Sequence, residues 1–288
     1  MIDPPQTDLP ERGRILMCAP EFYDVRYEIN PWMSIKRPAN RRNALAQWEF
    51  LYQSLLEGGA QIELVEPVDG VPDLVFTANA GLVIGNKAVQ SNFRYPERQP
   101  EEPVFRAWFE RAGYEVVTIP DRLAFEGEGD AFVVGNTVIA GYRFRSDIRT
   151  HQFLGEIAGM EAVSVELTDP RFYHLDTCFC PLNGGMAFYF PGAFDDYGIR
   201  AMQSVIALML PIPEEEALRF ACNAVVLDHD VYLQKDCPMT QELLSEHGFT
   251  THEVDLTEFL KAGGSAKCLT LFLERPRSYW ADEGQASL

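Results

Sequence analysis

The chain has 288 residues, 47% of them hydrophobic, and a formal net charge of −19. That length suits one large domain or two ordinary ones, and no stretch approaches the ~20 apolar residues of a membrane span. The acidic balance argues against nucleic acid and anionic membrane surfaces as partners, and is compatible with a small cationic substrate drawn in by the field.

The opening MIDPPQTDLPERGR is polar, proline-rich and without a signal-peptide core, so residues 1–13 read as a flexible tail and the cytoplasm is the expected location. ALAQWEFLYQSLLEGGAQIELVEP then sets Leu45, Trp48, Leu51, Leu55 and Leu56 at helical spacing, stops at Gly58-Gly59, and continues as the strand QIELV. The same helix, glycine, strand order recurs in FRAWFERAGYEVVTIP, FLGEIAGMEAVSVEL and LLSEHGFTTHEVDL. GIRAMQSVIALMLPIP reads as a variant whose helix ends at Pro211.

Between these lie hairpin-like segments: NAGLVIGNKAVQS, GDAFVVGNTVIAGY, DTCFCPLNGGMAFYF and ACNAVVLDHDVYLQ. A fifth such segment contains Cys268. In each, an apolar run meets a short polar turn and resumes. The four turns centre near residues 86, 136, 184 and 229, a repeat of about 50 residues. No linker separates the units, so residues 14–288 read as one α/β domain. Five units closing in a ring would gather their turns around a central channel.

The residues able to do chemistry sit at the edges of these hairpins. Cys268 follows Gly263 and Gly264 in GGSAKCLTL and precedes an apolar strand. In FYHLDTCF, strand alternation would put His174 and Asp176 on one face, giving a histidine that moves protons a carboxylate neighbour. A cysteine and a histidine far apart in sequence form a nucleophile–base arrangement that needs a third, orienting group. FEGEGDAF offers Glu126, Glu128 and Asp130 for that role. Cys178 and Cys180 read as buried thiols. No His/Cys/carboxylate set has metal-site spacing, so neither a metal nor another cofactor is expected.

Taken together, PDLVFTANAGLV, FEGEGDA, FYHLDTCF and GGSAKCLTL resemble, in order and spacing, the guanidino-group-modifying superfamily. That group includes arginine deiminases, dimethylarginine dimethylaminohydrolases, amidinotransferases and arginine dihydrolases. The resemblance spans roughly residues 14–275 and implies the pentein fold, a five-bladed α/β propeller of pseudo-fivefold ββαβ units. It implies Cys268 as nucleophile, His174 as general acid/base, and Glu126 as its acidic partner, with Glu128 the alternative. Asp176 and Asn79 would hold the guanidinium, and Arg98 and Arg145 a substrate carboxylate. Asp130 and Asn30 are expected among the substrate-binding residues.

Deiminases carry F-T-R-D where this chain reads Phe76-Thr77-Ala78-Asn79. Together with Asn30 in YEINPWM, that departure is most similar to the arginine dihydrolases, which take arginine to ornithine, ammonia and carbon dioxide. The expected partner is a small cationic guanidino substrate, and a homo-oligomer is compatible with this reading. A dimethylarginine hydrolase or deiminase giving citrulline, an amidinotransferase, and a silent cationic amino-acid binder remain as alternatives.

Overall fold

The computed structural model describes residues 12–120 and 122–276. Most of the expected tail lies outside the described residues, but its end is not loose. Arg12 donates to Asp230, and the Gly13 carbonyl accepts from Gln61 N at 3.0 Å.

Strands form where the apolar runs were read, and they assemble into five three-stranded sheets among the described residues. In chain order of their hairpins these are Gly81–Ile84, Lys87–Gln90 and Glu115–Thr118; Ala131–Val134, Thr137–Tyr142 and Glu161–Glu166; Phe179–Pro181, Met186–Tyr189 and Leu208–Pro211; and Val225–Leu227, Asp230–Gln234 and Thr250–Val254. The fifth joins both ends of the chain: Leu271–Glu274, Arg14–Cys18 and Gln61–Val65.

Every sheet follows one rule. Its first two strands are antiparallel, and the third, reached after a longer connection, runs parallel to the second. A tight loop can only make an antiparallel pair, whereas a parallel one needs a crossover. Three of the hairpin loops begin at Gly85, Gly135 and Asp228, with φ of 59, 56 and 60°, the left-handed backbone that short hairpin loops demand.

Burial grades across the sheets. Ala131–Val134, Phe179–Pro181 and Val225–Leu227 are buried throughout, whereas Gln61–Val65, Glu115–Thr118 and Thr250–Val254 are partly exposed. Continuous apolar strands are what burial on both faces requires. The helix Arg41–Glu57 is capped by Asn40, whose side chain accepts from Asn43 N at 3.1 Å. It buries Ala44, Trp48, Leu51 and Leu55. Leu45 and Leu56, read as core, are 43% and 37% exposed; the apolar stripe is narrower than the run of leucines suggested.

Two further readings are corrected. The helix expected to reach Pro211 stops at Gln203, and Leu208–Pro211 is a strand beside Met186–Tyr189. As the outer strand of its sheet it tolerates a proline. His174 and Asp176 do not share a strand face either. Leu175–Thr177 is a 3-10 turn, held by Thr177 Oγ1 donating to the His174 carbonyl (2.6 Å) and by Leu175 N donating to Asp130 Oδ1 (3.1 Å). Such local side-chain bonds compete with extended backbone.

No described helix is long and apolar enough to cross a membrane.

Candidate functional site

Ahead of the first strand of each sheet the chain makes a tight polar turn (the fifth sheet pairs that strand with Arg14–Cys18 instead of forming the hairpin read around Cys268), and hydrogen bonds join the five turns in a closed circuit. Asn79 Nδ2 donates to the Glu126 carbonyl (3.1 Å) and Leu175 N to Asp130 Oδ1 (3.1 Å). Asn223 Nδ2 donates to the Asp176 carbonyl (3.0 Å), Lys267 N to the Asn223 carbonyl (3.1 Å), and Ala78 N to the Cys268 carbonyl (3.1 Å), which returns to the first turn. The candidate residues, far apart in sequence, are thereby brought together.

Cys268 is buried in the turn ahead of Leu271–Glu274. Its thiol donates to Asp176 Oδ2 at 3.2 Å, and Asn223 Nδ2 donates to Sγ at 3.2 Å. Burial and the neighbouring Asp176 push the Cys268 thiol up, while Asn223 pulls the other way. Burial also raises the Asp176 carboxyl from 3.8 to about 7, against the opposing pull of Lys267. Asp176 Oδ1 has no hydrogen-bond partner among the described residues. A buried, unmatched carboxylate oxygen is costly unless a cation arrives to meet it.

The histidine is oriented by Glu126. His174 Nε2 lies 2.8 Å from Glu126 Oε2, which also accepts from Arg145 Nη1 at 2.8 Å. Burial opposes the charge on Glu126, but Arg145, His174 and Arg98 outweigh it and hold the carboxyl below the usual carboxylate range. Ionised, Glu126 can only accept, so Nε2 carries the hydrogen of this bond. Glu128, the other acid considered, points elsewhere: it pairs with Lys267 Nζ (2.8 Å) and Arg275 Nη2 (2.6 Å). The packing is close. A Cβ on Gly129 would stand 2.3 Å from Asn79 Nδ2 and 3.3 Å from the His174 ring, so only glycine fits between them.

A narrow cavity, with room for about one water molecule as the side chains stand, opens onto Cys268, Asp73, Asn79, Arg98, Arg145 and Tyr173. The two arginines differ in what remains free. Arg98 chelates Glu101 through Nε and Nη2 (both 2.7 Å), and its Nη1 donates to Asn79 Oδ1 (2.8 Å). It is chiefly part of the wall. Arg145 lies between the rings of Tyr95 and Tyr173, 4.8 and 4.6 Å from their centroids, and bonds to Glu126 and to the Ile29 carbonyl (3.1 Å). Its Nε–H makes no hydrogen bond to the described residues.

Asn79 therefore already binds Arg98 and the Glu126 carbonyl, keeping one amide proton for anything else. Asn30 is at the cavity wall, where Oδ1 accepts from Trp32 N and Met33 N, and Nδ2 donates to the Ala262 carbonyl (2.9 Å). Asp130, like Glu126, His174 and Asp176, is not among the residues lining the cavity. Both its oxygens are taken inside the protein, Oδ2 by Ser146 N and Oγ and Oδ1 by Leu175 N, so it ties turns together instead of meeting a ligand.

Three residues had escaped the sequence reading. Asp73 lines the cavity and is buried, with Oδ2 3.9 Å from Arg98 Nε and the Tyr27 hydroxyl acting on its carboxyl as well. Tyr173 stacks on Arg145 and bonds the Gly263 carbonyl at 2.8 Å. Asn223 grips the Cys268 turn. Asp73 and Tyr173 fall inside motifs already singled out, PDLVFTAN and FYHLD. Asn223 carried no local signal beyond heading a hairpin.

Fold and site together put the chain in the guanidino-group-modifying superfamily. Residues 27–274 match the family described as N,N dimethylarginine dimethylhydrolase, eukaryotic, and the chain belongs to that family. It is 48% identical over 270 residues to the bifunctional arginine dihydrolase/ornithine cyclodeaminase AgrE of Nostoc sp., covering 92% of this chain and 38% of that protein. It is 39% identical to the N(G),N(G)-dimethylarginine dimethylaminohydrolase of Mycobacterium tuberculosis, covering 93% and 88%. Among solved structures it is similar to the N-terminal domain of ArgZ, a cyanobacterial arginine dihydrolase, bound to product (TM-score 0.89, 47% identity, 92% of this chain and 98% of that one). The chain thus spans 38% of the length of the full AgrE and ArgZ proteins.

Proposed function

We propose that the chain hydrolyses the guanidino group of L-arginine through a covalent adduct on Cys268, giving ornithine, two ammonia and carbon dioxide. The observation that carries this reading is Asp176 Oδ1, a buried carboxylate oxygen beside the thiol with no hydrogen-bond partner among the described residues. A free arginine carries two cationic groups, a guanidinium and an α-ammonium. Asp176 suits the first and Asp73 the second, while Arg145 supplies N–H for the α-carboxylate. Similarity to AgrE and ArgZ favours arginine over its methylated forms. The circuit of five turns supports a ring of five sheets, the propeller expected of the family.

The chemistry follows from charge. In the resting site the thiol is protonated and bonded to Asp176. A guanidinium beside Asp176 adds the positive charge that thiolate formation lacks. Cys268 gives up its thiol proton to Nδ1 of His174 as Sγ bonds to the guanidinium carbon. His174 passes its proton to one nitrogen, that C–N bond breaks, and ammonia leaves. His174 next takes a proton from water as the water oxygen bonds to the same carbon. Loss of the second ammonia leaves a carbamoyl group on sulfur. A second water releases the thiol and an unstable carbamate, which falls to ornithine and carbon dioxide.

The test is to incubate the protein with arginine, N-monomethylarginine and asymmetric dimethylarginine and to identify products by mass spectrometry. Ornithine from arginine is expected. Dimethylamine and citrulline from the dimethylated substrate alone would replace this reading with the dimethylargininase one.

Two expected results belong here. Asn79→Ser should divert product from ornithine to citrulline, because a serine is too short to bridge Arg98 and the Glu126 carbonyl and offers a neutral intermediate no amide N–H. The ratio of the two products from labelled arginine checks it. An unaltered ratio removes Asn79 from product control. Turnover should also survive exhaustive chelation, since thiol chemistry needs no metal. Loss with EDTA and restoration by a divalent cation would contradict that.

A further inference from the structure

Asn223 sits at the end of a turn whose first residue, Phe220, has φ of 63°, two residues ahead of the strand Val225–Leu227. It is fully buried, and its side chain uses its whole hydrogen-bonding capacity on the nucleophile's surroundings. Oδ1 accepts from Ser265 N (2.9 Å) and Cys268 N (3.1 Å). Nδ2 donates to the Asp176 carbonyl (3.0 Å) and to Cys268 Sγ (3.2 Å). Two backbone N–H groups can only face the oxygen, so the network fixes the amide's orientation and turns an N–H onto the sulfur.

We propose that Asn223 is a catalytic residue that stabilises the Cys268 thiolate through this N–H. The proposal rests on Cys268 being the nucleophile. Its physical basis is differential. A neutral thiol is a weak acceptor, whereas a hydrogen bond to a charged one is about twice as strong as a neutral bond. The bond therefore strengthens as charge develops on sulfur, and a donor already held by three other hydrogen bonds needs no rearrangement at that moment. Asp176 contributes the opposite effect on the free protein: it accepts the thiol proton, and its own charge disfavours the thiolate. Asn223 and a bound cation thus act on the same side of one equilibrium.

A merely structural asparagine would predict something different, and the readout separates the two. Cys268 alkylation by iodoacetamide is followed against pH, with the labelled peptide identified, in wild type, Asn223→Ser and Asn223→Asp. Serine adds no charge but is too short to reach Sγ; aspartate retains the acceptor for both backbone N–H groups and loses the donor. In both variants the alkylation midpoint should rise by about one pH unit or more, and kcat should fall about 100-fold with KM nearly unchanged. Folded variants that keep the wild-type midpoint and kcat overturn the proposal.

Should neither variant fold, the Asn223 side-chain amide resonance in the wild-type protein should move with Cys268 ionisation and stay fixed in Cys268→Ser. An amide indifferent to that ionisation overturns it equally. Failure of the underlying reading looks different: Cys268→Ser would itself retain turnover.

Discussion

Cys268→Ser is expected to lower turnover of arginine by about 10⁴-fold or more while leaving the protein folded. Serine is close in size to cysteine, and its hydroxyl can still donate to Asp176 Oδ2 and accept from Asn223 Nδ2. The stability change should therefore stay within about 1 kcal/mol. What is lost is the attacking atom, because a serine hydroxyl beside a carboxylate does not ionise near neutral pH. Steady-state kinetics with a thermal melt on the same sample check both halves. Near-normal turnover in Cys268→Ser would end the covalent mechanism. The other cysteines of the chain offer no ready substitute: they are buried, and burial pushes the thiols of Cys178, Cys180 and Cys222 upward.

Asp176→Asn should separate function from stability. Without the carboxylate the guanidinium has no counter-charge at the thiol, and turnover should drop by about 10³-fold. The fold should gain. Burial raises the Asp176 carboxyl from 3.8 to about 7, so the folded protein binds a proton that the unfolded chain releases. Asp176 therefore helps the folded state most below about pH 4, and that contribution is lost as the pH rises through about 7. Asparagine does not titrate. The variant should accordingly match wild type in stability near pH 4 and exceed it by about 1–3 kcal/mol above pH 7. Urea unfolding at the two pH values measures this. A variant less stable than wild type above pH 7 would mean that Lys267 and the surrounding dipoles already compensate the charge.

These effects trace back to features that differ in how legible they were. The hairpins could be read because strand alternation and glycine at the loop are local. Gly85 and Gly135 open their loops at positive φ where the turns were expected. The strand Leu208–Pro211 was missed because its apolar run also fits a helix, and only pairing with Met186–Tyr189 decides between them. The family motifs point to Cys268 and His174 and favour Glu126 as the acidic partner, but leave Glu128, two residues away in the same loop, as an alternative. Tertiary placement chooses: His174 and Arg145 converge on the first, Lys267 and Arg275 on the second.

Asp130 shows the opposite case. The loop offered Asp130 as a group to orient the histidine and the resemblance as a substrate-binding one, but Ser146 and the Leu175 N–H take both its oxygens. Whether an acid is free or already engaged is a long-range property, and no spacing rule reports it. Asn223 is the same problem in reverse. Its neighbours Ala221, Cys222 and Ala224 are unremarkable as sequence, while its value comes from four hydrogen bonds to Ser265, Cys268 and Asp176.

The central claim is that the guanidino carbon of arginine passes through Cys268 and leaves the molecule. The most direct measurement supplies arginine carrying ¹³C at that carbon and follows the label by NMR in wild type and in Cys268→Ser. The account predicts that wild type releases the label as bicarbonate, with ornithine accumulating in equal amount, and that in Cys268→Ser the label stays in arginine. Wild-type protein that leaves the label in arginine, or halts it in citrulline, would contradict the account.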